Sequence, residues 1–561
     1  MNFFRRQRKL PKPLSETRTK LGLPDWRALL TNDDRRWKKA LAAARTGPDV
    51  LVATNTGGHK AVNSMESMLA IALTLRGARV HTLICNSALP ACLQAQQQSV
   101  PDPRTLADYK LRETLCPTCS ALGEDGPGGL GLNHHHLGSL VTPQQAADAR
   151  ERSQAMPADA IPGFMDGKLA VGEHALAGAL RYFARGDLHA EPLGAEVLRR
   201  YFEAALLTGS ALSNLADRVP LKSAVFHHGI YIPQGIVGEV CRARGIAVAN
   251  WAVAYRRNTF LFSHGDSYHH TLLNEPVSAW KDMTWSSAHE AAIMDYLKSR
   301  WAGTRDWIYF HEKPDEDFER YSAEAGIDRS RPLIGLLTNV IWDAQLHYRA
   351  NAFPNMRDWL IKTIAWFAGR PDLQLLIRVH PAEVRGALPS RQPVMAEIAD
   401  AFPTLPRNVF IIAPESQVST YAAAVACDSV IVFGTKTGVE LTSFGIPTIV
   451  AGEAWIRNKG ITTDASSEAD YFAALGRLPF GARMPEAQTQ RARKYAYHFF
   501  FRRMLPLPFM QGNAKGTFDV AISSLDELMP GAHPGLDVIC DGILKGTPFV
   551  YPAEQLGVHD Q

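Results

Sequence analysis

Short apolar runs closed by polar turns alternate with amphipathic stretches in two separate parts of the chain. In the first part, 48–54 reads as a buried strand, Asn55-Thr56-Gly57-Gly58-His59 as the turn that closes it, and 79–85 as the next strand. Between them 64–75 carries Met65, Met68, Leu69 and Ala72 at helical spacing, and Gly77 stops the helix. This β-α-β order predicts a parallel sheet. From 101 onward the alternation loosens, as an insertion built on that sheet would, with helices expected over 174–185 and 193–217. It resumes with strands at 223–229 and 246–250 around a helix at 235–244. Ser287-Ala288-His289-Glu290 has capping-box spacing and opens a helix reaching 301. The charged stretch Lys313-Pro314-Asp315-Glu316-Asp317 puts a domain boundary shortly after it.

The second part repeats the alternation more regularly. Strands are expected at 333–339, 373–379, 409–413, 429–433 and 447–451, with helices at 355–368, 394–401, 418–426 and 438–444. Such repetition predicts a doubly wound sheet with right-handed crossovers. The tail from 485 reads as helical, with Tyr495, Tyr497, Phe499, Phe500 and Phe501 as core packing. The expected organisation is a basic tail and lead-in over 1–47, a Rossmann-like domain with a Cys-containing insertion over 48–320, a second Rossmann-like domain over 331–484 and the tail 485–561. The fold class is therefore α/β, with two doubly wound domains.

Bulk properties narrow the function. The chain has 561 residues, enough for more than one core, and a formal net charge of +4, too small for general nucleic-acid binding. No apolar run is long enough to span a bilayer, and the basic start, Met1 to Lys9, lacks the apolar core of a secretory signal. A cytoplasmic protein is expected. The basic start is read as a disordered tail or as a segment attracted to an anionic membrane face. An odd count of seven cysteines in a long chain does not describe a disulfide framework. Cys116 and Cys119 form a C-x-x-C turn, and with Cys85 and Cys92 they give four thiolates for one structural zinc; the alternative is four buried reduced thiols. His134-His135-His136 is read as a polar loop, with ligation as the other reading.

Two strand ends in the second domain carry the chemistry. Arg378-Val379-His380-Pro381 and Gly434-Thr435-Lys436-Thr437-Gly438-Val439-Glu440 open onto one edge of a parallel sheet, where ligands bind and helix N-termini favour anions. Arg378, His380 and Lys436 are suited to phosphate oxygens. Thr435, Thr437 and the N–H groups near Gly438 complete an anion site, and Glu440 is suited to ribose hydroxyls. Thr437 and Glu440 also fit a capping box, which would make them a helix start.

These residues, with Ile377 before them, Ser419-Thr420-Tyr421, Gly445-Ile446-Pro447-Thr448-Ile449-Val450-Ala451-Gly452 and Arg457-Asn458-Lys459-Gly460-Ile461-Thr462-Thr463-Asp464, resemble the bacterial capsule polysaccharide biosynthesis family. The resemblance covers most of the second domain and is looser in the first, where Gly57-Gly58-His59 and 226–229 look like glycosyltransferase loops. It implies a GT-B glycosyltransferase whose two domains face a cleft. A nucleotide-sugar donor would be held by the C-terminal domain, at Arg378, His380, Ser419, Thr435, Lys436, Thr437, Gly438 and Glu440. A polysaccharide or glycolipid acceptor would be presented by the N-terminal domain. His59 and Asp266 are the candidates for the base that takes the acceptor's proton. No Asp-x-Asp motif stands beside the donor residues, so protein donors are expected to stabilise the leaving group without a metal cofactor. A sugar-nucleotide epimerase of the same architecture and a non-catalytic polysaccharide assembly or binding protein are the alternatives.

Overall fold

A computed structural model describes residues 14–307, 309–310, 313–344, 350–513 and 518–556. The basic start of the chain lies outside them. The described residues form two compact units: those within 14–178, 195–251 and 507–548 form one, and those within 179–194, 252–506 and 549–556 the other. This differs from the division read off the sequence. Residues 252–320 fall in the unit that holds the C-terminal sheet, and most of the tail from 507 falls in the unit that holds the N-terminal one.

In the first unit, strands β1 (Asp49–Asn55), β2 (Arg79–Ile84), β3 (Asn133–His136), β4 (Ser223–His227) and β5 (Ala247–Val253) lie in the order β5-β4-β1-β2-β3, all parallel. β1 is buried along its whole length, as its unbroken Val-Leu-Val-Ala run requires of a central parallel strand. The crossover helix Lys60–Leu75 is buried from Val62 to Thr74. The chain runs outward from β1 to β3, returns past β1 to β4, and continues outward to β5. The insertion between β2 and β4 is helical, with Cys116–Asp125, Pro143–Ala155, Val171–Phe183 and Gly194–Arg218 as its longer helices. The His134-His135-His136 run is β3, an edge strand, and not the loop expected from its polarity.

In the second unit, β7 (Leu333–Leu337), β8 (Gln374–Arg378), β9 (Val409–Ile412), β10 (Ser429–Val432), β11 (Thr448–Val450) and β12 (Thr463–Asp464) form a parallel sheet ordered β12-β11-β10-β7-β8-β9. The same unit contains β6 (Thr259–His264), paired antiparallel with β13 (Met504–Pro506). Right-handed crossovers in a sheet whose direction of growth reverses put helices on both faces, so both parallel sheets are doubly wound. Below the second sheet the core gathers Ile334, Leu336, Trp359, Ile364, Leu375, Ile377, Ile431 and Tyr471. The tail is helical in places, with the helices Glu486–Tyr497 and Pro534–Lys545, and it also contains three short strands that the sequence reading did not include, Met504–Pro506, Met510–Gly512 and Phe518–Val520. Tyr495, Tyr497, Phe499, Phe500 and Phe501 are buried, as expected.

Candidate functional site

In the second sheet the growth direction reverses between β7 and β10, and a parallel sheet binds its ligand at the carboxyl ends of the strands where that reversal opens a crevice. A cavity of about 430 Å³ lies there. Leu337 ends β7, Thr338 and Asn339 follow it, Phe433, Gly434 and Thr435 follow β10, and all six line it. Asn339 Oδ1 accepts from the Gly434 N–H at 3.3 Å and links the two turns. Arg378 and His380 line it from the end of β8, and the rings of Tyr255, Trp301, Phe310, Tyr421 and Trp455 give it apolar faces.

His380 is held on three sides. Its backbone N–H donates to Thr338 Oγ1 at 3.0 Å, its Nδ1 accepts from the Ala382 N–H at 3.1 Å, and Phe310 packs edge-on against the ring. Burial first, then the charges of Lys436 and Arg378, lower the imidazole to about 4. The ring is therefore neutral at pH 7, and with Nδ1 accepting, its proton sits on Nε2.

Lys436 belongs to a buried charge network. Its Nζ donates to Glu440 Oε1 at 2.7 Å and lies 4.7 Å from the centre of the Tyr255 ring. Glu440 Oε2 accepts from the Tyr421 hydroxyl at 2.5 Å and pairs with Arg300 Nε at 3.2 Å. Arg300 also pairs with Asp306, whose Oδ1 accepts from the Tyr296 hydroxyl at 2.7 Å. Two cations and two carboxylates thus compensate each other below the cavity. Burial raises the Glu440 carboxyl, but Arg300 and then Lys436 overcome it and hold it at about 2.

Several expected roles change on this geometry. Glu440 is fully buried and is absent from the described lining of the cavity, and its carboxylate pairs with both Lys436 and Arg300. Lys436, not Thr437, is the N-cap of the helix Thr437–Ser443, and it caps without a side-chain hydrogen bond; the capping box is not formed. Thr435 Oγ1 accepts from the Thr437 N–H at 3.3 Å and lies 3.1 Å from Thr437 Oγ1, and both threonines face the cavity. Gly438 is buried within the first turn of that helix, where a Cβ would stand 3.1 Å from Ile456. Ser419 Oγ accepts from the Ala422 N–H at 3.2 Å and caps the helix Thr420–Val425. The guanidinium of Arg378 donates to Thr420 Oγ1 and to the carbonyls of Ala413 and Ser416, which makes it a brace for the cavity wall. Arg300, Asp306 and Tyr255 carried no recognisable motif.

Asp266 belongs to this second unit, but its carboxylate is about half exposed and lies outside the described lining. Oδ1 accepts from the Ser267 N–H at 2.6 Å and Oδ2 lies 3.2 Å from His270 Nδ1, a local turn arrangement.

The first sheet reverses between β1 and β4, and His59 stands at that point. Its Nδ1 accepts from the Val62 N–H at 3.4 Å, capping the helix Lys60–Leu75, and its ring lies 5.4 Å from that of His227. Below them Glu66 accepts from Trp251 Nε1 at 2.9 Å, and burial pushes its carboxyl up to about 8 against that hydrogen bond. Gly57 packs closely on the neighbouring helix: a Cβ there would lie 2.3 Å from Gly123 N.

Cys85, Cys92, Cys116 and Cys119 do converge, lining one small cavity of about 20 Å³ in the first unit. Burial raises the thiols of Cys116 to about 12 and of Cys119 to about 11. Among the described residues, however, the donor atoms that gather within 4.8 Å in a group of three are those of Glu124, His134 and His136. The four sulfurs are not drawn together that closely.

No protein-family description and no curated protein sequence matches the chain. Solved structures resemble it. KpsC from Thermosulfurimonas dismutans, a β-Kdo 2,4 transferase, is 13% identical with a TM-score of 0.34, over 55% of this chain and 87% of that one. The UDP-GlcNAc 2-epimerase from Neisseria meningitidis bound to UDP-GlcNAc is 10% identical with a TM-score of 0.26, over 80% and 94%. The spinosyn rhamnosyltransferase SpnG is 12% identical with a TM-score of 0.22, over 80% and 96%.

Proposed function

We propose that the chain is a glycosyltransferase that moves a sugar from a nucleotide-activated donor to a surface or capsular polysaccharide acceptor. The observation that carries this reading is the cavity at the β7/β10 reversal. It is of the size that holds a drug-sized ligand, is walled by aromatic rings, and is edged by His380, Lys436, Thr435 and Thr437. Aromatic faces suit a base. The Nε2–H of neutral His380, the Lys436 ammonium and the two hydroxyls suit phosphate oxygens and can stabilise the charge that develops on the leaving nucleotide. In this reading Arg378 and Ser419 shape the wall, Glu440 keeps Lys436 charged, and His59 takes the acceptor's proton. The acceptor is a polysaccharide or glycolipid, met at an anionic membrane face.

Incubation of the full chain with CMP-, UDP- and GDP-sugars, with and without a glycolipid acceptor, tests it. Sugar transfer that needs the acceptor supports the proposal. Isomerisation of a donor in the absence of acceptor would replace it with an epimerase, and binding without turnover of any donor would replace it with a non-catalytic protein.

A further inference from the structure

A second polar cluster stands apart from the cavity, at the edge of the first sheet. His134 and His136 are alternate residues of β3 and so project from the same face. Glu124, one residue from the end of the helix Cys116–Asp125, meets both: its Oε1 is 2.6 Å from His136 Nε2 and its Oε2 is 3.6 Å from His134 Nε2. The two rings meet edge-on with centroids 4.7 Å apart.

The neighbours of His134 leave its Nε2 available when Nδ1 carries the ring proton. Thr82 Oγ1 lies 2.8 Å from His134 Nδ1 and 3.5 Å from the Pro127 carbonyl, so it can accept from an Nδ1–H while its own proton turns to that carbonyl. The neutral ring then presents a lone pair at Nε2. That atom is buried and makes no hydrogen bond, although a carboxylate oxygen lies opposite it. Two acceptors facing each other repel unless a cation stands between them. Glycine at 128 keeps a side chain away from this pair: a Cβ there would lie 3.1 Å from Glu124 Oε2, 3.2 Å from the Gly123 carbonyl oxygen and 3.3 Å from His134 Nε2.

We propose that Glu124, His134 and His136 form a site for one divalent transition-metal cation, with zinc as occupant and water as the fourth ligand. Bonds of about 2.0–2.2 Å from tetrahedral zinc to imidazole and carboxylate put donor atoms roughly 3.4 Å apart. The 3.6 Å separation meets this directly, and the 2.6 Å one opens by a small rotation of the partly exposed His136 and Glu124 side chains. Two imidazoles with one carboxylate favour zinc over magnesium or calcium. Thr82 acts as the outer partner that orients a ligating histidine. The bound cation would pin the end of the Cys116–Asp125 helix to the edge strand, a clamp at the opposite end of the helix from the cysteine pair.

Zinc titration of the metal-stripped full chain, read by calorimetry and by elemental analysis after desalting, tests the site. One zinc per chain is expected, abolished in Glu124→Gln and in His136→Ala, both at partly exposed positions where the fold is least at risk. It is retained in the Cys116→Ser/Cys119→Ser double variant. Thr82→Val should weaken binding by about 10–100-fold. Cobalt substitution should give a visible spectrum without a thiolate charge-transfer band. Absence of stoichiometric zinc overturns the proposal, as does zinc that survives His136→Ala or is lost with the cysteines.

Discussion

At the scale of single residues, the proposed donor site assigns binding to His380 and support to Glu440. His380 reaches the cavity and is held by backbone contacts, whereas Glu440 is the shared counter-ion of Lys436 and Arg300. His380→Ala is expected to lower nucleotide affinity tenfold or more while leaving the urea unfolding midpoint nearly unchanged, since one charge-assisted hydrogen bond contributes about 1.5–3 kcal/mol. Glu440→Ala removes the carboxylate paired with buried Lys436 and leaves Asp306 as the partner of Arg300, and it should cost about 3–5 kcal/mol of stability in the same urea experiment. A nucleotide-binding defect in Glu440→Ala without loss of stability would show that Glu440 touches the ligand after all. Arg378 and His380 were both legible as polar residues at a strand end. That Arg378 is consumed by the carbonyls of Ala413 and Ser416 was not, because those partners come from another loop.

Glu66 gives a residue-scale prediction about pH. Its carboxyl is raised from 4.5 to about 8 by burial, opposed by Trp251, Thr54 and the His227 backbone. A group whose folded pKa is raised holds its proton more tightly when folded, so its contribution is fully present below about 4.5 and is lost as pH rises through 8. Stability should therefore decline between these values more steeply than in Glu66→Gln, and the two unfolding curves should differ at pH 8 far more than at pH 5. Parallel pH profiles would refute the assignment of a protonated Glu66.

At the scale of elements, nine parallel strands were readable because fully buried strands are written as unbroken apolar runs, as in β1, β4 and β10. β3 escaped because an edge strand of Asn-His-His-His has no such run; its pairing with β2 is set by the sheet and not by its own residues. Two helix starts were placed one residue late: Ser286, not Ser287, caps the helix Ser287–Ser299, and Lys436, not Thr437, is the cap of the helix Thr437–Ser443. Capping motifs fix a helix end only to within a residue or two when neighbours of similar chemistry compete. The Gly57 turn makes an element-scale prediction. Its backbone packs on Gly123 of the helix Cys116–Asp125, where a Cβ would meet Gly123 N at 2.3 Å and Cys119 O at 2.5 Å. Gly57→Ala should cost about 1–3 kcal/mol through overpacking, measured by urea unfolding, and an unchanged midpoint would mean that this contact is looser than described.

At the scale of the whole molecule, the boundary drawn after the charged stretch near 317 followed composition, but packing follows charge compensation. Arg300 and Asp306 precede that stretch in sequence, yet they neutralise Lys436 and Glu440. A fragment beginning at 331 should therefore fail to fold, lacking Tyr255, Arg300 and Asp306, whereas the sequence division would make it an autonomous domain. A cooperative melting transition from that fragment would restore the earlier boundary. The cavity was legible as two strand ends on one edge, and its depth was not, because Tyr255, Trp301 and Trp455 approach from segments with no motif.

Equilibrium binding of CMP, UDP, GDP and their sugars to the full chain and to His380→Ala is the most direct test of the proposed donor site at the β7/β10 reversal. The account predicts that one nucleotide class binds the wild-type chain and raises its apparent stability, and that His380→Ala, with an unchanged melting temperature in the absence of ligand, loses most of that effect. Equal nucleotide binding by both proteins, or no binding by the folded wild-type chain, would contradict it.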